Sequence, residues 1–103
     1  MSKILVVDDE AIITMQLEER LSAMGYDIAG MSASGEDAVN KARRIRPDLV
    51  LMDIVMPGPM DGLAAAEKIR ADMDIPVIFL TAHSDKSLIA RAKLSDPLGY
   101  ILK

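Results

Sequence analysis

The sequence has 103 residues, half of them apolar, with only two tyrosines and one phenylalanine, no cysteine and a formal net charge of -4. This length suits one domain with one aliphatic core. The lack of cysteine excludes disulfides and thiolate metal sites, and the acidic balance argues against direct nucleic-acid binding by this segment. No apolar run approaches the ~20 residues that span a bilayer, and Met1-Ser2-Lys3-Ile4 has no signal-peptide layout. The expectation is a cytoplasmic domain with no membrane contact.

Ile4 to Val7 is a fully apolar run ending in Asp8, Asp9 and Glu10. It reads as a buried parallel strand. A helix is predicted from about Glu10 to Met24, with Ile13, Leu17, Leu21 and Met24 on one face and Gly25 as its stop. Tyr26 to Met31 alternates weakly and suits an edge strand. Ser34 can cap a helix running to Arg46, with Asp37 at the capping-box position and Ala38, Ala42 and Ile45 turned inward. Its acids near the start and Lys41, Arg43, Arg44 and Arg46 near the end match the helix dipole, and Pro47 closes it.

Leu49 to Met52 is a second uninterrupted apolar run, ended by a single acid, Asp53. A loop from Ile54 to Met60 follows, and Pro57 and Gly58 within it stop the strand from continuing. Asp61 can cap the next helix, Gly62 to about Asp72. Pro76 to Leu80 is another apolar strand, stopping at Thr81. A weaker helix is predicted over Asp85 to Leu94. Pro97 breaks it, and Leu98 to Leu102 reads as a fifth strand leading into Lys103.

Strands alternating with helices through short loops imply an α/β fold: a doubly wound five-stranded parallel sheet, flavodoxin-like, in the order 2-1-3-4-5. Strands one and three are then neighbours, and their carboxyl ends bring Asp8, Asp9 and Asp53 to one corner. The chain, one domain over 1-103, stops after strand five without the last covering helix. Bare apolar surface is expected beside strands one, three and four, with lowered stability or self-association.

Carboxylates gathered this closely repel and stay ionised together only beside a cation. All-oxygen donors suit Mg2+, with Mn2+ as the alternative. Such sites commonly serve phosphoryl groups, and the hydroxyl of Thr81 and the ammonium of Lys103 leave neighbouring strand ends. Three functions fit these residues to different degrees: a phosphorylation-controlled switch, a metal-dependent phosphohydrolase with Asp53 as nucleophile, and a flavodoxin-like cofactor binder. The hydrolase usually carries a second acid two residues after its nucleophile, where this chain has Val55. The cofactor binder needs a phosphate-cradling loop, where this chain has Asp8-Asp9-Glu10.

The chain resembles the receiver domains of two-component response regulators, including the chemotaxis receivers. The matching pieces are Ile4 to Glu10, Asp48 to Asp53 with Met56-Pro57, Asp61-Gly62, Pro76 to Ala82 and Gly99 to Lys103. The resemblance implies that Asp53 accepts the phosphoryl group, that Asp9 binds magnesium directly and Asp8 mainly through water, and that Val55 adds its backbone carbonyl. It implies that Thr81 bonds a phosphoryl oxygen, that Lys103 pairs with the phosphoryl group and that Tyr100 is the aromatic that follows Thr81 inward. Ala82 would keep the phosphoryl group accessible, and Val55 and His83 would tune its lifetime. The implied partners are a sensor histidine kinase or phosphotransfer domain, an attached output or kinase domain, and a second copy in a homodimer. The chain would be no conventional enzyme, since it catalyses only its own phosphorylation and dephosphorylation. It departs from the family in a loop one residue longer at Gly58 to Gly62, in the Ala92 to Gly99 turn, and in lacking the final helix and the proline after the lysine. The surface through which many receivers dimerise is therefore incomplete.

Overall fold

The computed structural model describes residues 2–56, 58–81 and 99–102, with Thr81 and the last four by backbone alone. The elements are β1 (Lys3–Val7), α1 (Ala11–Ala23), β2 (Asp27–Ser32), α2 (Gly35–Ile45), β3 (Leu49–Asp53), α3 (Gly62–Met73), β4 (Val77–Thr81) and β5 (Gly99–Leu102). The strands form one sheet in the order β2-β1-β3-β4-β5, and every neighbouring pair is parallel. This is the doubly wound, flavodoxin-like arrangement expected from the alternation of elements. The helix expected over Asp85 to Leu94 lies outside the described residues.

The apolar runs form strands because both of their faces are covered. On one face Leu5, Val7, Val50, Met52, Val77 and Phe79 pack against Ala38 and Ala42 of α2 and Leu63, Ala65, Ala66 and Ile69 of α3. On the other, Ile4, Val6, Leu51 and Leu80 pack with Leu17 and Leu21 of α1. The period-two alternation of a strand thus divides each run between two layers. On that second face Ile4, Val6, Leu51 and Leu80 are 3% exposed or less, while Leu49 and Ile78, on the same face of β3 and β4, are only partly buried.

Several boundaries differ from the sequence expectation. Helix α1 begins one residue later, with Glu10 as an extended N-cap whose side chain makes no capping bond. Met24 is not on the buried face but 68% exposed, because it is the C-cap and the chain turns away there. Strand β2 is shifted by one residue to end at Ser32, which is buried beside Val7. Ser34 caps α2 by accepting from the Asp37 N–H, at 3.2 Å. Asp61 caps α3 by accepting from the Ala64 N–H, at 2.9 Å.

Candidate functional site

Two apolar strands ending in acids become a site only through the register between them. Val7 lies beside Met52, so Asp8 and Asp53 leave the same end of neighbouring strands. Both are 2% exposed. Buried carboxylates need hydrogen-bond donors, and the chain folds back to supply them. Asp8 Oδ1 accepts from the Glu10 N–H at 2.9 Å, and Asp53 Oδ1 accepts from the Val55 N–H at 3.4 Å. The Asp8 N–H is held in turn by the Ser32 carbonyl at 3.0 Å.

Carboxylate oxygens of Asp8, Asp9 and Glu10 lie within 4.8 Å of one another, with Asp8 buried and the other two exposed. Asp53, one strand over, is not a member of that set. Glu10 was not anticipated as part of the site, although it is the third of three consecutive acids. An all-oxygen, anionic donor set of this kind fits a small hard cation such as magnesium, and such a cation would offset the repulsion among the three. Val55 sits in the loop directly after Asp53 with its side chain 54% exposed. A cleft of about 310 Å³ opens beside the acids, lined by Asp8, Asp9, Thr14, Asp37 and Lys41 among others.

Asp37 has a different role from the one its spacing implies. Its carboxylate does not close a capping box with Ser34. It accepts from the Ser32 hydroxyl at 2.7 Å and pairs with Lys41 at 3.1 Å, while Lys41 also donates to the Met31 carbonyl on edge strand β2. The Ser32 hydroxyl, and after it the Lys41 bond, hold the Asp37 carboxyl below the usual carboxylate range.

Thr81 is the last residue of β4, one beyond the Leu80 that pairs with Asp53, and Leu102 of β5 lies beside it. The backbone therefore brings Thr81 to the same end of the sheet as Asp8 and Asp53. The side chains of Thr81 and Tyr100, and all of Ala82, His83 and Lys103, lie outside the described residues.

The parallel five-stranded order with buried acids at adjoining strand ends leaves more than one function open, and comparison with known proteins shows the family. A family model described as the response regulator receiver domain matches residues 4–103. The chain belongs to this family and is a receiver domain of the two-component response-regulator type. It is 40% identical over 101 residues to the transcriptional regulatory protein PdtaR of Mycobacterium tuberculosis, which covers 98% of this chain and 49% of that protein. The chain thus spans about half the length of that relative. The chemotaxis protein CheY of Thermotoga maritima is 32% identical over 102 residues, 98% of this chain and 84% of its own. Among solved structures, the signal receiver domain of a modulated diguanylate cyclase from Desulfovibrio desulfuricans superposes with a TM-score of 0.93 at 36% identity, covering 100% of this chain and 82% of that one.

Proposed function

We propose that the chain accepts a phosphoryl group on Asp53 and uses it to move between two conformations. The observation that carries this reading is the buried Asp53 carboxylate at the end of β3, one strand from the clustered oxygens of Asp8, Asp9 and Glu10. An Asp53 oxygen would attack the phosphorus of a phosphohistidine on a sensor histidine kinase or phosphotransfer domain. The new O–P bond forms as the P–N bond breaks, and the ring nitrogen leaves with the bonding pair. The product is an acyl phosphate on Asp53.

Asp9 and Asp8 would hold Mg2+, with Asp53 and the Val55 carbonyl completing the set and Glu10 close enough to join. When bound, the metal supplies positive charge that offsets the carboxylates and the phosphoryl oxygens. The Thr81 hydroxyl would donate to a phosphoryl oxygen, Lys103 would pair with the group, and Tyr100 would follow Thr81. Phosphorylation adds roughly -1 to -2 of charge and new acceptor oxygens, which biases the populations of two arrangements. The chain then acts on itself and is no conventional enzyme. The hydrolase alternative is disfavoured by Val55, an aliphatic side chain where that reaction needs an acid.

Residues 1–103 form one receiver in this reading, working in the cytoplasm. Among the described residues no helix is long and apolar enough to cross a membrane. The greater length of the PdtaR relative supports an attached output or kinase domain as partner, and a homodimer is one route for the signal. The test is incubation with acetyl phosphate and Mg2+, read by intact mass. A stoichiometric adduct is expected on the wild type and none on Asp53→Asn. Turnover of an external phosphoester without an adduct would refute the proposal.

A further inference from the structure

Two consecutive residues in the first turn of α2 tie down the two segments that carry the site. Glu36 Oε1 accepts from the Met60 N–H at 3.0 Å, a contact between residues 24 positions apart. Met60 belongs to the loop that leaves Asp53, carries Val55 and enters α3. Gly35 lets that loop come close. A Cβ there would overlap the Met60 carbonyl oxygen and lie 3.1 Å from both its carbonyl carbon and its Cγ. Asp37, the next residue along, holds the Ser32 hydroxyl, and the Ser32 carbonyl holds the Asp8 N–H.

One helical turn therefore grips the loop after β3 through Glu36 and the end of β2, and so Asp8, through Asp37. We propose that this turn is a brace setting the distance between the Asp8 corner and the Asp53–Val55 loop, with Glu36 as a positioning residue for magnesium. The inference rests on the function proposed above, because it gives the braced groups a shared ion. Magnesium demands near-ideal octahedral geometry and tolerates displacement of its donors poorly. A residue that fixes the path of one donor segment therefore sets affinity without touching the metal.

Charge and reach are separable at this position. Glu36→Gln keeps an oxygen at the same length and loses the charge. Glu36→Asp keeps the charge and is one methylene too short to reach Met60. Glu36→Ala loses both. The experiment is Mg2+ titration of each intact chain without phosphodonor, followed by amide chemical shifts, with hydrogen exchange at the Met60 amide measured in parallel. Glu36→Ala and Glu36→Asp are expected to weaken Mg2+ binding by about tenfold and to speed Met60 exchange. Glu36→Gln is expected to stay within about twofold of wild type. Should Glu36→Ala fail to fold, the Asp and Gln pair still decides. Equal Mg2+ affinity in wild type and all variants, with Met60 exchange accelerated, would overturn the brace while leaving the proposed function intact. Glu36→Gln weakened as far as Glu36→Ala would overturn it too, by making charge the cause. A wild type that takes up no Mg2+ would overturn the proposed function and the brace with it.

Discussion

Replacing Gly62 by alanine would put a methyl group where the main chain of Asp53 already lies. The added Cβ would overlap the Asp53 carbonyl oxygen and stand 2.8 Å from its carbonyl carbon and 2.9 Å from Ile54 Cα. Carbon atoms prefer separations of about 3.5–4.0 Å, and the carbonyl oxygen is nearer still, so the backbone must open by more than about 1 Å. It has little freedom to do so. Asp53 is in register with Leu80 of β4, and the Gly62 N–H already bonds the Ile54 carbonyl at 3.0 Å. Overpacking a tight site costs about 1–3 kcal/mol, and rigid backbone on the far side favours the upper end. The helix preference of alanine returns about 0.5–1 kcal/mol, leaving a net loss of about 2 kcal/mol. For a domain of this size each kcal/mol moves the melting temperature by roughly 4–8 °C, so thermal unfolding followed by circular dichroism should show a fall of about 8–16 °C. Adduct formation at Asp53 should fall as well, since its carbonyl is the group displaced. Gly25→Ala is the control. No atom lies within 4 Å of a Cβ there, and its φ of +95° leaves only backbone strain of about 1–2 kcal/mol. A Gly62→Ala protein less destabilised than Gly25→Ala would refute the reasoning.

Two further outcomes are expected. Asp61→Ala removes the acceptor for the Ala64 N–H at the start of α3 and should lower stability by about 1 kcal/mol in urea unfolding, with Asp61→Asn nearly restoring it. Asp37 is held below the ordinary carboxylate value by Ser32 and then Lys41. Its stabilisation is therefore present at neutral pH and lost as pH falls through the ordinary value of about 3.9 and below. Its side chain is 47% exposed, so the effect should stay within the 0–1 kcal/mol typical of a surface pair. Urea midpoints measured from pH 7 to pH 3 should show the gap between wild type and Asp37→Asn closing as the solution is acidified. A constant gap would mean that ionisation of Asp37 contributes nothing.

The sheet, and the placing of Asp8 and Asp53 at adjoining strand ends, were legible in the linear order of residues. Ile4 to Val7 and Leu49 to Met52 are apolar at every position, and so short a run suits a strand covered on both faces better than a helix of about ten or more residues. An acid just after each run, with parallel winding, already places Asp8 and Asp53 side by side. Ser34 and Asp61 announced their helices because capping is a contact over three residues.

Other features depended on contacts that no local pattern carries. Glu36 reaches Met60 across 24 positions, and nothing near Glu36 marks it as a partner for that loop. Asp37 sits at the spacing of a capping box yet its carboxylate bonds Ser32, because the end of β2 places a hydroxyl 2.7 Å from it. Met24 keeps the helical spacing of its apolar neighbours and is exposed, since the chain has left the helix by that point. Gly62 reads as an ordinary first-turn residue until β3 brings the Asp53 carbonyl against it. Periodicity and capping act over a few residues and can be read from order alone. Which strand end meets which helix turn is decided by how the layers pack, and the braced loop beside Asp53 belongs to that second kind of information.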